Sequence, residues 1–122
     1  MQRRRFLLLV RRALDELPPA YREWLANVDV VVERWPRPHD LRQAGLSPNE
    51  TLFGLYEGIP LTERTSDYGM VLPDKITIYQ APLERAFSED AELGAEVRQT
   101  VLHELAHHFG ISDEELERLG LD

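Results

Sequence analysis

The spacing of apolar residues changes several times along the chain, and each spacing predicts an element. Phe6, Val10, Ala13, Leu14 and Leu17 fall on one face of a 3.6-residue period, which predicts an amphipathic helix stopped by Pro18 and Pro19. A short helix near Ala20 to Ala26 follows and should bury Tyr21, Trp24 and Leu25. VDVVVERW (28–35) has the β-branched density of a strand, closed by Pro36 and Pro38. Residues 39–50 read as a helical turn and loop. TLFGLYEGIPLTER (51–64) reads as a strand, a turn at Glu57-Gly58 and a second short strand, and 65–73 as a surface loop. In KITIYQ (75–80), Ile76 and Ile78 alternate with Thr77 and Tyr79, predicting a strand buried on one face and open on the other.

A long helix should start after Ser88 as N-cap, with Glu89, Asp90 and Glu92 at the positive end of its dipole. It is expected to run to Phe109 and to end at Gly110. Val97, Val101, Leu102, Leu105 and Phe109 make its apolar side. SDEELERLG then starts a last short helix, with Ser112 and Glu115 at capping-box spacing. Helices, several strands and a long helix give an α+β layout rather than alternating β-α units. At 122 residues without a repeat or linker, one domain spanning 1–122 is expected.

Composition narrows the chemistry. The formal charge of −8 argues against nucleic-acid binding by charge attraction. With no cysteine, a metal must be held by His, Asp, Glu or water. The apolar run Phe6–Val10 is too short for the core of an export signal, although RRRFLL resembles a twin-arginine start. No stretch is long enough to span a membrane, so a cytoplasmic protein without a membrane partner is expected.

The chemistry concentrates in HELAHHFGISD (103–113). His103 and His107 are four apart, so both rings leave the same helical face and can meet one tetrahedral cation at about 2.0–2.1 Å. Glu104 projects toward the mouth of that face, within reach of a metal-activated water. That is the physical content of H-E-x-x-H: two ligands and a general base from one turn of helix. Gly110 can take a positive φ and reverse the chain, which could bring Asp113 back as a third ligand. Asp113 would also favour the first turn of the last helix with no metal at all. Glu114 and Glu117 are the fallback ligands. Glu96 and Thr100 lie on the His face one and two turns earlier and are expected to face solvent. His108 points toward the packed flank.

The run HELAHHFGISD resembles the zincin metallopeptidases, with Asp in the place of the third His of the metzincin pattern. LFGLYEGIPLTERTS, LPDKITIYQ and TVLHELAHHFGISDEELERLG are similar to small bacterial zincin-like proteins, and the likeness extends from Phe6 onward. The resemblance implies a minimal zincin-like fold, with N-terminal helices, a small mixed β-sheet and a long active-site helix near the C-terminus. It implies one Zn2+ per chain held by His103, His107 and Asp113, with Glu104 as general base and a peptide or protein as substrate. A two-His-one-carboxylate set also suits iron. In zincins an edge strand above the helix pairs with extended peptide; KITIYQ is the first counterpart here and the 51–56 strand the second. The methionine turn of metzincins is missing, since no Met follows Asp113 and Met70 lies upstream. Peptide hydrolysis also needs an oxyanion donor, for which Tyr79, Tyr68 and Tyr56 are candidates. The alternatives are a metal-binding protein-interaction module with little turnover and a hydrolase of non-peptide amides or esters.

Overall fold

The computed structural model describes residues 1–47, 51–58, 73–110 and 113–118, the side chains of Ala20, Asp113 and Leu116 excepted. The second short strand expected after Gly58, Ser112, Tyr68 and Met70 lie outside these residues. The helices are α1 (Arg3–Asp15), α2 (Pro19–Leu25), α3 (Pro38–Gln43), α4 (Gln80–Ala86), α5 (Asp90–His108) and α6 (Asp113–Arg118). The strands are β1 (Val28–Glu33), β2 (Gly54–Glu57) and β3 (Asp74–Tyr79). Of the predicted apolar stripe, Phe6, Val10 and Ala13 of α1 and Leu17 just after it lie in the core, and Leu14 is half-buried against it. They meet Leu93, Val97, Val101 and Leu105 of α5 in the same cluster. Arg5–Asp90 and Glu16–Arg98 ion pairs at 2.9 and 2.6 Å join the two helices. Being exposed, they add little to the apolar contact between them.

The sheet is mixed, with strand order β1-β3-β2. β1 runs parallel to β3, Val30 opposite Ile76 and Val32 opposite Ile78. β2 runs antiparallel along the other side, Gly54 opposite Ile78 and Tyr56 opposite Ile76. The architecture is the expected α+β one. Two expectations about KITIYQ fail for one reason: β3 is the central strand. Its Ile76 and Ile78 enter the main core, while Thr77 and Tyr79 are buried on the opposite face. Both of its sides carry hydrogen-bonded neighbours, so among the described strands the outer positions belong to β1 and β2.

Three further details depart from the sequence reading. A short helix, α4, follows β3 directly; Pro82 sits in its first turn, where a missing N–H costs nothing. Helix α5 starts at Asp90 with Glu89 at its N-cap and no side-chain cap bond, so Ser88 does not cap it. Phe109 stands 49% exposed because the helix ends at His108 and the period no longer carries the ring inward. Its ring rests against Trp24, centroids 5.4 Å apart.

One close approach places β2 over α5. A Cβ at Gly54 would lie 2.5 Å from Thr100 Cγ2 and 3.2 Å from the Thr77 carbonyl oxygen. Only glycine lets the strand backbone sit so near the helix. Thr100 is buried by this contact and does not face solvent as expected. Gly54→Ala should therefore cost about 1–3 kcal/mol by overpacking. Adding Thr100→Ser, which removes the methyl, should recover a large part of it in urea unfolding. A double variant as unstable as Gly54→Ala alone would contradict the contact.

Candidate active site

Helix α5 supplies most of the site because its length lets it do two jobs. Val97, Val101 and Leu105 anchor one side with no exposure. The other side faces a cleft of about 650 Å³ carrying Gln99, His103, Glu104 and His107. The acidic first turn (Asp90, Glu92) complements the positive end of the helix dipole. β2 forms the facing wall through Gly54 and Tyr56, and Leu46, Leu52 and Phe53 make an apolar shoulder.

His103 and His107 lie one turn apart on this face, ring centroids 6.3 Å from each other. His103 is half-buried and His107 exposed. Glu104 lies between the helix and the strand. Its Oε1 accepts a hydrogen bond from the Tyr56 backbone N–H at 3.2 Å, and its Oε2 lies 3.9 Å from His107 Nδ1. Strand parity explains why that N–H is available. The Tyr79 N–H donates to the Phe53 carbonyl at 2.9 Å, so residues 53, 55 and 57 bond to β3. Gly54 and Tyr56 then turn their backbone groups outward.

The Glu104 carboxyl is held above the ordinary glutamate range by loss of solvent, against the opposing pull of the Tyr56 N–H and of His107 and His103. Desolvation prevails, so the site favours a proton on this group more than water does.

Two contributors escape the sequence reading. Gln99 is one: its Nε2 lies 2.9 Å from His103 Nε2. Its spacing of four before His103 is the available signal. The Tyr56 N–H is the other, and a backbone group leaves no trace in a side-chain motif.

The three tyrosines expected as oxyanion or substrate contacts separate. Tyr68 lies outside the described residues. Tyr56 lines the cleft, but its hydroxyl donates to Asp74 Oδ2 at 2.6 Å. Tyr79 is fully buried, does not line the cleft, and turns toward Asp40 of α3. Its hydroxyl makes no hydrogen bond among the described residues. The physical reason is again the central position of β3, whose side chains are covered on both faces. His108 stacks on Tyr56, centroids 4.0 Å apart and planes 17° from parallel, and lines the same cleft.

The residues present fit a divalent cation. Two imidazoles share one face, Gly110 takes φ +72° after the helix, and α6 opens at Asp113. The Asp113 carboxylate itself lies outside what is described. Among the described side chains no third His, Cys, Asp or Glu joins the pair as a metal set.

The chain belongs to the zincin-like metallopeptidases: the profile of that family matches residues 25–121. It is also similar to a solved structure described as a conserved hypothetical protein from Thermo thermophilus. That likeness has 28% identity and a TM-score of 0.56, over 89% of this chain and 94% of the other. No curated protein matches the chain. Among the described residues, no helix is long and apolar enough to cross a membrane.

The burial of Tyr79 has a measurable consequence. Loss of solvent, and then the neighbouring Asp40, raise its pKa above the usual phenol range. In the unfolded chain the phenol ionises near pH ~10, before the folded one does. The unfolded state therefore sheds its proton first, and stability should fall as pH rises past that point. Tyr79→Phe should make this alkaline fall shallower in denaturant titrations. An unchanged alkaline slope would contradict the burial of the Tyr79 hydroxyl.

Proposed function

We propose that the protein is a zinc-dependent peptidase whose base is Glu104. The observation that carries this reading is the carboxylate held between strand and helix, one oxygen on the Tyr56 N–H and the other toward His107. His103 and His107, with Asp113 from the start of α6, would hold the cation. A divalent cation bound there supplies Lewis acidity toward a water and a carbonyl.

The remaining steps belong to the chain. Glu104 accepts the proton of the attacking water at Oε2, the oxygen left toward the His pair, and returns it to the departing amine. Its raised proton affinity suits both transfers, because an effective base titrates nearer to working pH than an exposed glutamate does. An extended peptide would lie along the side of β2 turned away from β3, using the N–H and carbonyl of Gly54. The apolar shoulder of Leu46, Leu52 and Phe53 offers a surface for one of its side chains. Tyr56 keeps its N–H for Glu104.

Zinc content and cleavage of a peptide library, measured together, test this. Glu104→Gln should retain zinc at the wild-type level and lose cleavage by at least about 100-fold, the scale of a lost general base. Asp113→Ala should lose zinc. Cleavage that survives in zinc-loaded Glu104→Gln sinks the assignment. Zinc retained by a wild type that cleaves nothing would favour the metal-binding interaction module instead.

A further inference from the structure

Glutamate has enough rotatable bonds to swing its carboxylate widely, so its direction in the cleft needs an external cause. That cause is a backbone N–H on β2, a strand only four residues long at the sheet edge. Such a strand frays unless something ties it down. Tyr56 is held through its hydroxyl and its ring. Its hydroxyl donates to Asp74 Oδ2 at 2.6 Å, and its ring stacks on the His108 imidazole.

Both partners follow from register. Tyr56 faces Ile76 across the ladder, so Asp74, two residues away, is its diagonal neighbour on the same face. His108 is four residues beyond Glu104, one helical turn on. Helix α5 therefore meets the same residue at two levels. Glu104 takes the N–H of Tyr56, and His108 takes its ring. His108 Nε2 also approaches Asp74 Oδ2 at 3.6 Å, so the three side chains meet as one cluster.

We propose that Tyr56, His108 and Asp74 form a clamp that fixes the direction of the Glu104 carboxylate, with His108 and Asp74 as positioning residues. The catalytic consequence rests on the reading of Glu104 as the base; the clamp itself does not. With the Tyr56 N–H held in place, Oε1 is committed to the strand and Oε2 is left for the His pair. Loss of the clamp frees both oxygens to exchange roles.

Amide hydrogen exchange followed by NMR tests the clamp without any substrate. The Tyr56 N–H points to Glu104, whereas the Leu55 N–H points to β3 and serves as an internal control. His108→Ala and Tyr56→Phe should each accelerate exchange at residue 56 about three- to tenfold, the scale of one weakened hydrogen bond, and leave Leu55 unchanged. His108→Phe, which keeps a ring to stack, should restore the wild-type rate at residue 56. Equal acceleration at 55 and 56 would mean simple fraying of β2 and would overturn the proposal. So would an unchanged rate at 56, or the lack of rescue by His108→Phe. For a peptide that the wild type cleaves, His108→Ala should lower kcat about tenfold with KM and zinc content unchanged. A wild type that cleaves nothing would remove the assignment of Glu104 as base, while the exchange rates would still decide the clamp.

Discussion

Everything around the cleft depends on how near β2 lies to α5. At Gly54 the strand backbone meets Thr100 with no side chain between them. Two residues further on, the strand turns a backbone N–H to Glu104. A larger residue at position 54 pushes the strand away from the helix and takes that N–H with it. The apolar packing of α1 and α5 fixes the helix, the pairing with β3 fixes the strand, and the glycine sets the gap between them. The position of one carboxylate is thus the product of three long-range constraints.

The same gap sets the electrostatics. A carboxylate on the open face of α5 would be an ordinary surface glutamate. Covered by β2, it loses water and gains one directed donor. Loss of water is the larger effect, and the donor keeps the group in place rather than strongly ionised. A proton acceptor in a cleft is useful on both counts, since it must point the right way and hold a proton briefly.

Much of the candidate site is legible in the sequence because it is local. His103, Glu104 and His107 share one helical turn, and the helix period alone predicts which face each one takes. Gly110 reads equally well, since a helix end followed by a reversal calls for a residue at home at positive φ. Pairing is where the reading fails. Alternation in KITIYQ identifies a strand but holds no information about neighbours, so the central strand reads as an edge and Tyr79 as a cleft residue. The role of Gly54 is invisible for a similar reason: the atom that demands glycine belongs to Thr100, on another element. Pro82 hides a helix because a proline in a first turn looks, in sequence, like a break. The contact of the Tyr56 backbone with Glu104 depends on strand register and leaves no mark on residue identity.

The central claim is that His103 and His107 together form one metal centre beside a carboxylate that does not itself bind the metal. Cobalt(II) substitution tests it most directly, since the visible absorption of that ion reports the number and geometry of its ligands. The account predicts one cobalt per chain with an intense low-coordinate spectrum, abolished by His103→Ala and by His107→Ala and preserved in Glu104→Gln. A spectrum that survives loss of either histidine, or that collapses in Glu104→Gln, would contradict it.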